Sequence, residues 1–374
     1  MRLLLFLLIV ALPFVYKAQT GVQSTFTTTH DGKTREYILY IPQSYDGMNE
    51  LPLLMNLHGL GSSMTEQIVY GDFRKIADTA NFILVIPNGI KNSSNKRQWN
   101  YFDVNGEDDT GFLSSLIDHI INNYAINSDR VYFTGMSNGG FMSFYLACHL
   151  SNKITAVASV SGTMLPSTIA NCSPNRPVPT MLIHGTSDLV VPYLGSPLFA
   201  SVSSVISHWV NQTNCNATPV ITSVPDIDIT DGSTAEHHVY SGGTNGATVE
   251  HFKIIGGGHS WPGAPTYIDV TNHDFDASTE IWRFFNQYST TGLVNVKEEI
   301  IDFVKVYPNP SRGEIRVFPK QQIGKLSILS AEGKIIHSVD NLTDELTVND
   351  LVPGIYFVQV QTKEKSFSKK FVVN

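Results

Sequence analysis

Buried-strand patterns alternate with helical patterns along the first 290 residues, and this alternation limits the possible folds more than any other feature. Continuous apolar runs that end at glycine, such as LPLLMNLHG and FILVIPNG, are typical of strands covered on both faces. Further strands are predicted at RVYFTGM, ITAVASVSG and VPTMLIHG. Because helical stretches separate these strands, we expect an α/β architecture, with a mostly parallel sheet and helices on both faces.

The clearest helical stretch runs from Asp109 to Tyr124. Its apolar residues recur at three- and four-residue intervals and form one stripe along a helix. Asp108 or Asp109 is suited to cap the first turn, because a carboxylate can accept from the free N–H groups there. Two further helices are predicted around residues 201–210 and 277–288.

The two ends of the chain have different patterns. The stretch STFTTTHDGKTREYILYIP alternates polar and apolar residues around Asp31-Gly32, which predicts an antiparallel hairpin at one edge of the sheet. After Thr290 the helical patterns stop, and short strands separated by turns predict a small β-sandwich over 302–374. We therefore expect an α/β domain over 19–290 and a linker over 291–301.

The amino terminus has the pattern of a secretory signal peptide. Arg2 precedes an apolar run from Leu3 to Val15, and Ala18 is small enough for cleavage, so residues 1–18 are predicted to be removed. The run is shorter than the ~18 residues that a membrane span needs, and Pro13 interrupts it. A membrane anchor is the alternative. We expect a secreted protein, extracellular or at the cell surface, that is exported via the periplasm.

The chain has three cysteines, which an exported protein can oxidise but cannot pair completely. Cys148 lies in an apolar helical stretch and is predicted to be a buried core thiol. Cys172 and Cys215 lie in polar surroundings and are predicted to form a disulfide. None of the three has the spacing of zinc ligands, so no metal site is expected.

The charge of the chain disfavours polyanionic partners. The formal net charge is −8, and residues 301–374 carry 10 basic and 8 acidic side chains, so the acidic excess lies entirely in the first 300 residues. An acidic surface repels nucleic acid. A neutral or weakly charged substrate is therefore expected.

A G-x-S-x-G motif occupies the junction between a predicted strand and a predicted helix. Ser137 is its central residue, and Gly135 and Gly139 flank it. A nucleophile elbow requires this context, because the tight turn strains the serine backbone and leaves no room for β-carbons at the flanking positions. Ser137 is therefore the candidate nucleophile.

A serine nucleophile needs a histidine base and an orienting acid, which follow it in chain order in this architecture. Asp188 comes just after the strand in TMLIHGTSD, whereas its rivals at 226, 228 and 231 lie in a polar loop. His259 follows a strand and three glycines in IIGGGHSWPG. Among the other histidines that follow Ser137, residues 237, 238 and 251 lie in predicted strands, and a helix-capping role would explain His273.

The remaining site predictions concern the oxyanion and the substrate. The Asn138 N–H follows the nucleophile directly, and the loop NLHGLGSS can supply a second donor at Leu60 or Gly61, of which we take Leu60. His58 is interpreted as a packing residue that supports this loop. Aromatic side chains at 99, 101, 193 and 261 are candidates to line the site, and the hypothesis takes Trp99, Tyr193 and Trp261 as substrate-binding residues.

The motifs above resemble, in sequence and in order, those of the polyhydroxybutyrate depolymerase family of secreted esterases, which includes feruloyl and acetylxylan esterases. The resemblance runs from Thr25 to Tyr288 and includes ADTANFILVIPNG, DDTGFLSSLIDHI and IHGTSDLVVPYLG. It implies the α/β-hydrolase fold, a Ser137–His259–Asp188 triad that needs no cofactor, and an ester substrate.

The tail resembles a different family. VYPNPSRGEIRVF, GIYFVQVQT and the terminal KKFVVN are similar to the C-terminal sorting domain of type IX secretion, which implies the type IX secretion machinery as a partner. A carbohydrate-binding or spacer module is the alternative for this unit.

The hypothesis for the whole chain is a secreted serine carboxylic-ester hydrolase that acts on feruloyl or acetyl esters of plant polysaccharide. The alternatives are a polyester depolymerase and an inactive hydrolase scaffold that only binds.

Overall fold

The computed structural model describes residues 20–103, 105–265, 269–290, 292–293, 304–319, 323–330, 334–361 and 366–373. The chain divides into two compact units between Val294 and Asn295. The predicted signal peptide and most of the predicted linker lie outside the described residues. No helix within the described ranges is long and apolar enough to cross a membrane.

The first unit contains short and long strands that alternate with helices. The strands, in chain order, are β1 (Val22–His30), β2 (Lys33–Ile41), β3 (Leu51–Leu57), β4 (Ile83–Pro87), β5 (Ile90–Lys91), β6 (Arg97–Gln98), β7 (Ile126–Met136), β8 (Ala156–Val160), β9 (Thr180–Gly185), β10 (Val220–Ser223), β11 (Thr234–Tyr240), β12 (Val249–Ile255), β13 (Tyr288–Ser289) and β14 (Gly292–Leu293). The helices are α1 (Met64–Tyr70), α2 (Arg74–Ala80), α3 (Asp109–Asn123), α4 (Asn138–His149), α5 (Pro166–Asn171), α6 (Val202–Thr213) and α7 (Ala277–Phe285). A short 3-10 turn covers Thr244–Gly246.

One ten-stranded sheet organises this unit. Its strands lie in the order β1-β2-β4-β3-β7-β8-β9-β12-β11-β10. The central strands from β4 to β12 pair in parallel, and the strands at both edges pair antiparallel. The hairpin of β1 and β2 forms one edge and turns at Asp31-Gly32, as the alternating pattern predicts. This mixed, mostly parallel sheet with helices on both faces is the α/β-hydrolase fold.

Apolar layers cover both faces of the sheet, which explains the continuous apolar runs. Alternate residues of β3 enter opposite layers: Leu53 and Met55 pack in one, and Leu54 packs in the other. Helix α3 packs its apolar stripe into the first layer, and Asp108 caps it by accepting from the Gly111 N–H. The predicted bounds of α3, α6 and α7 agree with the structure to within a few residues.

The second unit is an all-β region. Its strands are β15 (Val304–Tyr307), β16 (Ile315–Pro319), β17 (Ile323–Ser330), β18 (Ile335–Leu342), β19 (Leu346–Val348), β20 (Gly354–Gln361) and β21 (Ser366–Val373). They form an antiparallel three-stranded sheet, β15-β16-β19, and an antiparallel four-stranded sheet, β18-β17-β20-β21. Residues of both sheets, including Ile315 and Leu326, share one apolar core. The prediction of a small β-sandwich is confirmed.

The predicted disulfide between Cys172 and Cys215 is wrong. Cys148 and Cys172 form the bridge, with 4.9 Å between their Cα atoms, and Cys215 is a free, half-buried thiol. The Cys215 thiol donates instead to the Ala247 carbonyl oxygen, 3.3 Å away. The apolar sequence around Cys148 indicated burial correctly, but it carried no information that Cys172 packs against the last turn of α4.

We expect a non-reduced digest to contain one linked peptide pair, with Cys148 joined to Cys172, and an alkylated Cys215 peptide. Replacing both bridged cysteines by alanine should lower the free energy of unfolding by about 3 kcal/mol, because the bridge closes a loop of about 25 residues. Mass spectrometry and urea unfolding measure the two effects, and Cys215→Ala is the matched control. A linked peptide that contains Cys215 would contradict the assignment.

Candidate active site

A strained turn between β7 and α4 presents Ser137. Its φ of 53° and ψ of −118° lie in a region that residues other than glycine rarely adopt. A β-carbon at Gly135 or Gly139 would overlap the carbonyl oxygen of Leu57 on the neighbouring strand. The spacing of the two glycines around the serine therefore has a steric cause, and the turn has the backbone geometry that a nucleophile elbow requires.

Asp188 and His259 lie in direct contact. Asp188 follows β9, its carboxylate is buried, and its Oδ2 lies 2.8 Å from His259 Nδ1. Its Oδ1 accepts from the backbone N–H groups of Val190 and Val191, at 2.9 and 2.8 Å. Burial alone would raise the pKa of this carboxyl, but hydrogen bonds from His184 and His259 outweigh burial and hold the pKa well below its ordinary value. The carboxylate is thus ionised at neutral pH and can orient His259.

A second histidine, His184, supports the same carboxylate and is absent from the sequence-based site. It lies at the end of β9 and is fully buried. Its Nε2 is 2.8 Å from the Val191 carbonyl oxygen and 3.4 Å from Asp188 Oδ2. Its position four residues before the acid, at the end of the same strand, was the available signal.

The triple-glycine loop after β12 brings His259 to the acid. A β-carbon at Gly258 would overlap the carboxylate of Asp269, which accepts a hydrogen bond of 2.9 Å from the His259 backbone N–H. The loop therefore needs a residue without a side chain directly before the histidine. This contact fixes the backbone on one side of the ring, while Asp188 fixes the ring itself.

The other candidate histidines have different partners. His273 donates its backbone N–H to Asp231, and Asp276, rather than His273, caps α7. The helix-capping interpretation of His273 is therefore wrong. The three histidines in strands each contact another side chain: His237 contacts Glu250, His238 contacts Glu236 and His251 contacts Tyr193.

Ser137 and His259 line one open cavity of about 540 Å³. One face of α1 and the loop after β3 contribute most of the other lining residues. The remaining lining residues are Gly59, Leu60, Gly61, Ser62, Thr65, Glu66, Val69, Tyr70 and Met136. The structure thus joins Asp188 to His259 by a hydrogen bond and places His259 and Ser137 on a shared surface, which we call the serine cavity.

The two predicted oxyanion donors, Asn138 and Leu60, lie on different segments: Asn138 follows Ser137 directly, and Leu60 lies in the loop after β3. Asn138 is the first residue of α4, where backbone N–H groups have no partner within the helix. In the described part of the chain, neither the Asn138 N–H nor the Leu60 N–H donates to another protein group. The Asn138 side chain holds the backbone of Trp99, with Oδ1 2.6 Å from its N and Nδ2 3.1 Å from its O. These two hydrogen bonds hold the residue after Ser137 in place.

His58 supports the loop that carries Leu60, as its interpretation as a packing residue predicts. Its Nε2 accepts from the Gly89 N–H at 2.9 Å, so its Nδ1 carries the proton and donates to the Gly59 carbonyl oxygen at 2.8 Å. The indole N–H of Trp99 donates to the His58 carbonyl oxygen at 3.0 Å. Burial lowers the pKa of His58 to about 4, so the ring is neutral.

The structure places none of the three predicted substrate-binding aromatics in the wall of the serine cavity. Trp99 and Trp261 are fully buried, and Tyr193 lines a different cavity beside His251. Trp261 packs behind Tyr70, with ring centroids 6.3 Å apart. The serine cavity is lined instead by Val69 and Tyr70 on α1, a helix that the sequence did not predict. An aromatic residue close in sequence to a motif can lie in the core or in the cavity wall, and only the packing of the folded chain distinguishes these positions.

Two groups of potential metal ligands have their ligand atoms within 4.8 Å of one another in the described residues. Cys148 and Cys172 belong to the first group and are bridged to each other. His30, Asp31 and Asp108 form the second group on the surface, and none of them lines the serine cavity.

Two neutral, buried histidines make the stability of the fold sensitive to mild acid. Burial lowers the pKa of His58 to about 4 and that of His251 to about 3, whereas a histidine in an unfolded chain has a pKa of about 6.5. As the pH falls below 6.5, the unfolded chain binds protons that the native fold excludes. We expect the free energy of unfolding to fall by up to about 1.4 kcal/mol per pH unit for each histidine. Urea unfolding at pH 7.5, 6 and 5 measures this slope, and equal stability at all three values would contradict it.

Two sequence families match separate parts of the chain. Residues 47–219 match the phospholipase/carboxylesterase family, and residues 305–374 match the secretion system C-terminal sorting domain. The first match includes Ser137 and Asp188 but ends before His259.

Individual relatives align with most of the first unit. The bifunctional acetylxylan esterase/xylanase XynS20E of Neocallimastix patriciarum is 28% identical over 265 residues, which are 71% of this chain and 35% of that protein. Feruloyl esterase D of Neurospora crassa is 27% identical over 277 residues, which are 71% of this chain and 86% of that protein. The chain therefore spans about a third of one relative and most of the other.

A solved structure has the same fold. The acetyl xylan esterase from Aspergillus awamori superposes with a TM-score of 0.51 at 12% identity, and the alignment covers 70% of this chain and 98% of that chain. At this identity the likeness supports the fold alone.

Proposed function

We propose that this protein is a secreted serine esterase. Its amino-terminal unit is a carboxylic ester hydrolase of the α/β-hydrolase fold, and its carboxy-terminal unit is a type IX secretion sorting domain. Its substrates are feruloyl or acetyl esters of plant polysaccharide. One observation carries the proposal: the hydrogen bond of 2.8 Å between Asp188 and His259, at the wall of the cavity that also holds the strained Ser137. The names of the relatives support the substrate class.

In the proposed reaction the ester is cleaved in two steps. His259 Nε2 takes the proton of the Ser137 hydroxyl as the oxygen bonds to the ester carbonyl carbon. The resulting imidazolium gives that proton to the leaving alcohol oxygen, and the acyl group remains on the serine. Water then attacks by the same route and releases the acid. Asp188 keeps the proton on His259 Nδ1 throughout and stabilises the imidazolium.

The negative charge that develops on the carbonyl oxygen needs donors that are already in place. The N–H groups of Asn138 and Leu60 are the proposed pair. The positive end of the α4 dipole adds to them, because the helix starts directly after the nucleophile. Bonds from the side chains of Asn138 and His58 fix the local backbone, so little reorganisation is needed during the reaction.

The serine cavity favours a large acyl group over a small one. Its volume of about 540 Å³ lies in the range of sites for whole small molecules and far exceeds what the two carbons of an acetyl group fill. Leu60, Val69 and Met136 provide apolar surface, and the paired hydroxyl groups of Ser62 and Tyr70, 3.2 Å apart, are polar atoms of the wall. A feruloyl group, with an aromatic ring and a phenolic oxygen, fits these features best.

A substrate panel tests the proposal. We expect the full chain to hydrolyse methyl ferulate and feruloylated arabinoxylan with larger kcat/KM values than acetylated xylan, and short-chain poly(3-hydroxybutyrate) to be the poorest substrate. The opposite order would favour the polyester depolymerase. If a chromogenic acetate ester and all four substrates remain intact, the chain is an inactive scaffold that only binds.

The sorting domain should be dispensable for catalysis. The first unit has its own core and contains every proposed catalytic group, so a chain that ends at residue 294 should keep the kcat and KM of the full chain on methyl ferulate. In the native host, the same truncation should accumulate in the periplasm. Steady-state kinetics and fractionation test the two statements, with the full chain as the control. A truncated chain that is secreted normally yet loses activity on insoluble polymer would make the tail a substrate-binding module.

A further inference from the structure

A second cavity of about 560 Å³ lies on another side of the nucleophile helix. The loop of residues 100–103 and 106–108 forms one wall, the outer turns of α4 form the floor, and α5 forms the opposite wall. It shares no lining residue with the serine cavity. We call it the loop cavity.

Two segments contribute both to the turn at Ser137 and to the loop cavity: helix α4 and the stretch that begins at Trp99. The Asn138 side chain binds the backbone of Trp99, and the loop that lines the cavity begins at the next residue. Tyr101 stacks on Phe141, one helical turn beyond the nucleophile, with ring centroids 5.2 Å apart. Tyr145 of the cavity floor lies eight residues along α4 from Ser137, which corresponds to roughly 12 Å of helix. A polymer that carries the bound ester is long enough to span this distance.

The lining combines exposed aromatic rings with hydrogen-bonding groups. Phe102 is 58% exposed although it is aromatic, and it meets Tyr101 edge to face. On the floor, Tyr145 and His149 stack with ring centroids 4.0 Å apart. Asn171 on α5 adds an amide that can donate and accept. Such walls suit a ligand that has both flat apolar faces and many hydroxyl groups.

The charges around the loop cavity disfavour an anionic ligand. Asp103, Glu107 and Asp108 line it, and none of its lining residues is a lysine or arginine. Glu107 pairs with Lys33 outside the lining, and Asp108 lies 3.2 Å from His30. Carboxylates accept hydrogen bonds from hydroxyl groups and repel phosphates and carboxylates. The ligand class that fits is a neutral polyol.

We propose that the loop cavity binds sugar residues of the polysaccharide that carries the ester, while the serine cavity takes the acyl group. The identity of the ligand rests on the proposed function, but sugar binding by the loop cavity can be measured without hydrolysis. Phe102 is the specificity-determining residue, because its aromatic ring is 58% exposed and belongs to the loop that lines the cavity.

The first experiment measures binding in the absence of turnover. Full-length Ser137→Ala protein is titrated with xylohexaose, which carries no ester, in a calorimeter. We expect binding, and we expect Phe102→Ala or His149→Ala in the same background to weaken it at least tenfold. Ile229→Ala is the matched control, because it removes an apolar side chain that is 82% exposed and lies outside both cavities. Absence of binding, or equal binding by all variants, overturns the proposal.

The second experiment measures the ratio of two activities. In the chain with Ser137 intact, Phe102→Ala should reduce the kcat/KM for feruloylated arabinoxylan relative to that for methyl ferulate about tenfold, through a larger KM for the polymer. Ile229→Ala should leave the ratio unchanged. A ratio unaffected by Phe102→Ala overturns the sugar site even if the enzyme is a feruloyl esterase. Failure of the unsubstituted chain to cleave methyl ferulate would instead contradict the proposed function, and the calorimetric result would stand separately.

Discussion

Ser137→Ala should lower kcat on methyl ferulate by about 10⁴-fold or more, because the alanine has no oxygen to carry the acyl group. The fold should be unaffected, since the change removes one atom at the wall of an open cavity. The positive φ of residue 137 remains in the variant, so its melting temperature should stay within a few degrees of that of the unsubstituted chain. Initial rates and a thermal melt measure both effects.

An active-site label provides an independent test of the same residue. A fluorophosphonate should attach to Ser137 in the unsubstituted chain, and the label should be absent from the Ser137→Ala protein. Ser203→Ala, at an exposed serine on α6, is the control and should keep both the label and the rate. A Ser137→Ala protein that retains more than a tenth of the activity would exclude it as the nucleophile.

His259→Ala should lose as much activity as Ser137→Ala, and the double variant should be no worse than either single one. The two groups act as one unit, because a serine hydroxyl is a poor nucleophile without its base. We therefore expect a loss of about 10⁴-fold in kcat in all three proteins. Rates measured with methyl ferulate under identical conditions provide the comparison.

His273→Ala is the matched control for the base. In the structure, the backbone N–H of His273 donates to Asp231, and this bond does not require the imidazole. The variant should keep its activity to within a factor of two or three. If His273→Ala were silent and His259→Ala active, the assignment of the base from the glycine loop would be wrong.

The sequence predicted the elements whose signals are local. The stripe on α3 and its cap at Asp108 depend on neighbouring residues, and the structure agrees with both. The glycines around Ser137 are equally informative, because the steric need for them comes from the turn and the adjacent strand. Strong local periodicity and tight turns leave few alternatives, so pattern analysis succeeds in such places.

The wrong or missing predictions depend on contacts between residues distant in the chain. The position of Trp99 in the core depends on two distant partners: its indole N–H donates to the His58 carbonyl oxygen, and its backbone N–H donates to the Asn138 side chain. The partner of Cys172 depends on how α5 packs against α4, which no spacing encodes. Helix α1 has only seven residues, too few for a clear stripe, and so the wall of the serine cavity was missed.

Helix α4 is fastened at both ends. At its start the Asn138 side chain binds the Trp99 backbone, and at its last turn Cys148 is bonded covalently to Cys172. A segment held in this way has few low-energy opening motions, so the amides of its later turns should exchange with solvent only through near-global unfolding. Ser137 therefore stands at the start of one of the slowest-exchanging segments of the first unit.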